Sequence, residues 1–152
     1  MFSSKRSAFL FFLALILAVA FTFDSILISV SASPIKKRDD GVNSDGLCYG
    51  TFTGEGTFYE IGMGACGQQN TDQDLVAALP VSMFGNSPNN NPNLNKNCFR
   101  NATVSHNGKS VTVTIVDICQ GCKSGDLDLS PAAFCKLADP SEGRIPITYV
   151  LN

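Results

Sequence analysis

The chain has 152 residues, with 11 Lys and Arg against 13 Asp and Glu and six cysteines, a length that allows one domain. Residues 39–152 keep 6 of the basic and 12 of the acidic groups, a net charge of −6. An acidic domain with scattered lysines is poorly suited to nucleic acid, where phosphate neutralisation drives association, and to anionic membrane surfaces; neutral polymers or proteins fit better.

Lys5 and Arg6 precede an apolar run, Ala8–Phe23, broken only by Thr22. Val30 and Ala32 then stand at the −3 and −1 positions of a cleavage site, so residues 1–32 read as a secretory signal peptide. A signal anchor is the alternative, but Asp24 interrupts the stretch that a span would need. Residues 33–38 read as a short pro-segment ending in the dibasic Lys36-Lys37-Arg38, or as an uncleaved basic flank. A secreted, extracellular, monomeric protein with no membrane attachment after signal removal is expected. Residues 39–49 are expected to be a polar, loose and flexible leader and 50–152 the folded domain.

All six cysteines follow the signal: Cys48, Cys66, Cys98, Cys119, Cys122 and Cys135. An even count in a short secreted chain predicts three disulfides. The Cys119-Gln120-Gly121-Cys122 spacing also suits zinc, which would want a second such pair or two histidines. His106 is the one histidine, so neither metal nor cofactor is expected. A redox role for this motif lacks the surrounding βαβ pattern.

Along the domain, Gly50–Tyr59 reads as a strand with glycine kinks, and Ile61–Gly67 as a sharp bend or barrel corner. Leu75–Leu79 is a buried-type strand stopped by Pro80, and Met83 and Phe84 fall in one helical turn. Gly85–Asn97, rich in asparagine and holding two prolines, predicts a surface loop, mobile or family-variable. Cys98–Ser105 is a strand joined by the Asn107-Gly108 turn signal to Val111–Val116. His106 is expected exposed at that turn. Asn101-Ala102-Thr103 is an N-glycosylation acceptor.

Val111, Val113 and Ile115 alternate, which predicts one buried face, and the strand runs into Asp117. Asp126–Leu129 extends briefly before Ser130 caps a helix opened by Pro131. Asp117 and Asp128 thus emerge beside the Cys119–Cys122 turn, where a polar site is sought. Asp139–Gly143 is a turn, and Arg144–Leu151 a last strand with Pro146 at an edge or bulge. Five or six short strands and one or two short helices predict a small all-β barrel pinned by disulfides.

Five blocks in order resemble a known group: Gly56–Tyr59, Gly64–Gly67, Val113–Asp117 with Cys119, Asp126–Phe134 and Gly143–Tyr149. They are similar to double-psi β-barrel proteins, above all the small fungal secreted rare-lipoprotein-A-like, barwin-like and expansin-like members. The resemblance spans about residues 50–151 and implies a six-stranded double-psi β-barrel. It places Asp128 at the general-acid position of expansins and related endoglucanases, with Asp126 where their histidine stands. It places Asp117 at the strand-end aspartate, Tyr59 on the groove wall, and Cys66 with Cys98 in a disulfide. One arrangement for the rest is Cys119 with Cys122 and Cys48 with Cys135.

Inverting glycoside hydrolysis needs two carboxylates flanking a water. Asp128 is the acid candidate, with Asp117 or Glu60 as base, and Tyr59, Glu60, Asp117, Asp126 and Asp128 as groove residues. The blander roles are an Asp117 that accepts backbone N–H bonds at a turn and an Asp128 bonded to its own loop. The chain has no tryptophan and three tyrosines, few for stacking on sugars, and an expansin-type second domain is not expected. Three functions follow: a barrel that binds cell-wall polysaccharide without cutting it; a module contacting a secreted or host protein, such as a protease, through Gly62–Asn70 and Gly85–Asn97; and a weak glycan-cleaving enzyme.

Overall fold

The computed structural model describes residues 41–42 and 47–152; the expected signal peptide and pro-segment lie outside them. Where β-branched residues alternate, strands form. Their order is β1 (Gly41–Val42), β2 (Cys48–Phe58), β3 (Val76–Pro80), β4 (Asn101–His106), β5 (Lys109–Cys119), β6 (Leu127–Leu129) and β7 (Ile145–Leu151). Two short helices, α1 (Val81–Phe84) and α2 (Pro131–Leu137), complete the set. Part of the stretch expected to be a loose leader is paired, since Gly41 and Val42 stand opposite Tyr49 and Cys48.

The sheet runs β1-β2-β6-β3-β5-β4-β7 and closes through β2–β7. The six strands β2–β7 therefore make a barrel, with β1 added outside it. Two pairs, β2–β6 and β3–β5, are parallel, which requires crossovers rather than hairpins. The β4–β5 hairpin turns at Asn107 and Gly108, whose φ values of 45° and 79° are those the Asn-Gly signal calls for.

Period-2 alternation fills the interior. Val104, Val113, Ile115, Leu127, Leu129, Ile145, Ile147, Tyr149 and Leu151 are buried in one core cluster, joined by Ala133, Phe134 and Leu137 from α2. Ser130 caps α2 by accepting from the Ala133 N–H. Pro146 lies in β7 beyond Thr148, where the β4 pairing ends, so its missing N–H removes no bond on that side.

His106 departs from its expected exposure. It is buried: one ring nitrogen, Nδ1, bonds the Pro146 carbonyl at 2.6 Å, and Nε2 meets the Asn107 amide at 2.9 Å. Alternation explains this, since Ala102, Val104 and His106 share the inward face of β4.

The Gly85–Asn97 segment is a surface loop with a buried, hydrogen-bonded side. Asn95 is buried, and its amide lies 3.0 Å from both the Phe84 carbonyl and the Ser87 hydroxyl. Its carbonyl accepts from the Asn97 N–H at 2.8 Å. Two of its asparagines thus act as internal brackets.

Two disulfides form among the described residues, Cys66–Cys98 and Cys119–Cys122. The third expected bridge, Cys48 with Cys135, is corrected: Cys135 is a free, exposed thiol. Helical periodicity is the reason, because Ala133, Phe134 and Leu137 take the inward face of α2 and Cys135 falls opposite. The 32-residue separation of Cys66 and Cys98 corresponds to about 4 kcal/mol of loop-closure stabilisation, and the short Cys119–Cys122 loop to about 2 kcal/mol.

Candidate functional site

Strand register sets the site. Thr57 on β2 stands opposite Asp128 on β6, Asp128 stands opposite Ala78 on β3, and Ala78 opposite Asp117 on β5. The four form one row across the barrel's outer surface. Asp128 and Asp117 are two strand spacings apart, about 10 Å between backbones, with only the Ala78 methyl between them. A large residue there would fill the floor.

A bulge brings Asp117 into this row. The β3–β5 register shifts between Ala77 and Ala78, so that Ile115 and then Asp117 oppose consecutive residues. Such a bulge re-aims the following side chain, here from the core face to the outside.

The resulting cleft has a volume of about 360 Å³. Thr57, Tyr59, Asp117, Asp128 and Arg144 line it, together with the whole Cys119–Cys122 turn.

Each carboxylate has a different occupation. Asp117 accepts at Oδ1 from the N–H groups of Ala65 and Ile118, both at 2.8 Å, and at Oδ2 from the Tyr59 hydroxyl at 3.3 Å. It therefore fixes the Ile61–Gly67 bend to β5. The same bend needs Gly64, because a Cβ there would collide with the Val116 carbonyl, and Cys66 donates to that carbonyl at 3.0 Å.

Asp126 is buried and lines the cleft. Its oxygens accept from the Glu55 N–H at 2.9 Å and the Lys123 N–H at 3.0 Å, so it holds the loop before β6. Asp128 accepts from the Thr57 hydroxyl at 2.6 Å through Oδ1. Its partner lies on another strand, not in its own loop, and Oδ2 is left facing the cleft near Cys119.

Burial raises the Asp128 pKa above the usual carboxylate value. The Thr57 hydrogen bond and Arg144 pull it back in part, while Asp117 adds to the rise. Tyr59 shifts the same way: burial first, then the charge of Asp117 and the hydrogen bond to it, hold the phenol protonated well beyond its ordinary range.

Glu60 is a correction: it is exposed and does not line the cleft. Side chains alternate along the chain, so Thr57 and Tyr59 face the cleft while Phe58 and Glu60 point away. Phe58 packs instead on the Phe134 ring at 4.8 Å.

Thr57 and Arg144 were not among the expected groove residues. The same alternation that exposes Tyr59 points to Thr57. Arg144 follows Gly143 directly before β7 and forms an exposed ion pair with Glu55 at 2.7 Å, a placement that only the closed barrel creates.

Cys119, Cys122 and Asp128 present donor atoms all within 4.8 Å of one another. The disulfide engages both sulfurs, which withdraws them from metal ligation, since the thiolate is the ligand. Asn101 is exposed at the start of β4, its side-chain carbonyl accepting from the Thr114 hydroxyl. No helix among the described residues is long and apolar enough to cross a membrane.

Comparison with known proteins agrees with this geometry. An Asp f 7 allergen homolog of Arthroderma benhamiae is 37% identical over 98 residues, covering 64% of this chain and 31% of that one. The chain thus spans about a third of that relative's length. The structure of a Streptomyces papain inhibitor superposes with a TM-score of 0.62 at 34% identity, over 67% of this chain and 94% of the inhibitor. A Clavibacter michiganensis expansin crystallised with cellohexaose gives 0.57 at 28% identity, over 68% of this chain and 50% of the expansin. The family model described as lytic transglycolase, a double-psi β-barrel domain, matches residues 51–149, and the chain belongs to that family.

Proposed function

We propose that the protein is secreted and that the cleft binds a neutral cell-wall polysaccharide without cutting it. The observation that carries this reading is the engagement of the carboxylates. Asp117 and Asp126 have both oxygens on neighbouring donors, and Glu60 lies outside the cleft. Among the carboxylates lining the cleft, Asp128 keeps one oxygen, Oδ2, without a hydroxyl or N–H donor. Hydrolysis by two carboxylates needs a free second one to activate water or attack the sugar, whereas binding needs only hydrogen-bonding groups beside a ring such as Tyr59. The similarity to an expansin crystallised with cellohexaose supports a glycan ligand.

The test is to incubate the protein with cellulose, chitin and peptidoglycan, measuring bound fraction and released fragments together. Binding without release, weakened by Tyr59→Ala, is expected. Fragment release abolished in Asp128→Asn would replace this reading with a cleaving enzyme in which Asp128 is the acid.

A second reading has its own observation. Met63, Leu94 and Phe99 are large, apolar and exposed, and they stand on or beside the segments that Cys66–Cys98 ties together. Phe99 also has a φ of 64°, a costly conformation for an aromatic residue. Such a surface suits a protein partner, and the similarity to a papain inhibitor supports a cysteine protease. Failure to bind any wall polymer, with protease inhibition lost in Phe99→Ser, would favour it.

A further inference from the structure

The Cys119–Cys122 turn enters the polysaccharide reading only as part of a wall, and its chemistry is unused there. We propose that this disulfide is a thiol–disulfide exchange site, taking two electrons from a substrate dithiol while Asp128 supplies the proton for the departing Cys119 sulfur. This inference stands whether or not the cleft takes a glycan.

Three observations converge on it. Both cysteines are partly exposed at the cleft. Gln120 and Gly121 between them are exposed, and the space around Gly121 is open, so the turn that carries the bridge faces solvent. Cys119 Sγ lies 3.9 Å from Asp128 Oδ2, the oxygen that Thr57 leaves free. Asp128 is half-buried, and burial favours its protonated form, which suits a proton donor to a leaving thiolate. Arg144 lines the same cleft, and a nearby cation stabilises a thiolate. The other bridge contrasts: Cys66 is 4% exposed in the core.

The steps balance. A substrate thiolate attacks Cys122 Sγ, forming a mixed disulfide and breaking the Cys119–Cys122 bond. The bonding pair leaves on the Cys119 sulfur, which takes the Asp128 proton. A second substrate thiolate then attacks the substrate sulfur of the mixed disulfide and releases Cys122 as thiolate. The substrate is oxidised to a disulfide and the protein is reduced to a dithiol. A low-molecular-weight disulfide, such as oxidised glutathione, restores the bridge by the reverse sequence.

The test titrates the full oxidised chain with reduced and oxidised glutathione, with EDTA present so that the freed sulfurs and Asp128 capture no metal ion. Thiols are alkylated and mapped by mass spectrometry, and reduction rates are followed from pH 4 to 8, corrected for the glutathione thiolate fraction. Cys119 and Cys122 should be reduced as a pair at ratios that leave Cys66–Cys98 intact. Their corrected rate should rise as pH falls through the Asp128 titration. Asp128→Asn should slow it at least fivefold and flatten the profile, and near-ultraviolet circular dichroism checks that this variant keeps the fold. Catalysed oxidation of a dithiol peptide should vanish in Cys119→Ser. Simultaneous reduction of both bridges, or a wild-type rate and profile in Asp128→Asn, would overturn the proposal. The titratable and charged groups facing Asp128 are Tyr59 just after β2, Asp117 on β5 and Arg144 just before β7, so Arg144→Gln should shift the profile without abolishing it.

Discussion

Asp128 is held in the fold at a cost to its charged state. Its carboxyl is half-buried and titrates above the usual range, so the folded state favours the proton more than the unfolded chain does. Below the ordinary value of 3.8 both states are protonated and the group is silent. As pH rises past that value the unfolded chain ionises first, and wild type loses stability until the raised folded pKa is passed. Asp128→Asn removes this loss and can still accept from Thr57. Its melting temperature should therefore exceed wild type at pH 7, with the gap closing by pH 3, as thermal melts at the two values would show. Placing a group where its charge is disfavoured is what functional sites do at the expense of stability. The resemblance pointed to Asp128, but its partner was not legible in the chain: Thr57 is 71 residues away, and only the parallel β2–β6 register brings them together.

At the scale of elements, local chemistry was readable and tertiary use was not. The Asn107-Gly108 turn, the Ser130 cap and the alternation of β5 are written within a few residues each, and all appear where that chemistry demands. The burial of His106 and of Asn95 and Asn97 was missed for the opposite reason. Their polar side chains are partnered by distant backbone, Pro146 for the histidine and the end of α1 for Asn95 and Asn97. A polar loop with buried asparagines looks the same in sequence as a solvated one. Asn95→Ala should leave the buried Asn97 N–H without its partner, while the Phe84 carbonyl keeps the Asn97 amide, costing about 1–3 kcal/mol. Urea unfolding would register this as a lower midpoint at an unchanged slope. Glu60 erred by one position, and in a strand one position is the other face.

For the whole molecule, the barrel and the Cys66–Cys98 bridge were legible through the resemblance, and the expected Cys119–Cys122 bridge also forms; the pairing of Cys48 with Cys135 was misjudged, since connectivity depends on the closed structure. The two bridges should differ in worth. Removing Cys66–Cys98 by paired Cys→Ser substitution should cost about 2–5 kcal/mol, more than the same change at Cys119 and Cys122, where the loop is short. Denaturant melts of the two double variants would rank them. Cys135 should be alkylated in the native state without reductant, being free and exposed.

The ladder that closes the barrel joins Gly50 to Leu151 at one end and Gly56 to Ile145 at the other. Contacts of such high sequence separation make for slow, late-committing folding. While the chain emerges from a ribosome, β2 has no partner on that side until β7 has been made. Until then this edge of β2 stays open, so the barrel can close only after Leu151 has been made. A chain ended before Ile145 should show no cooperative melt by circular dichroism, whatever its disulfides.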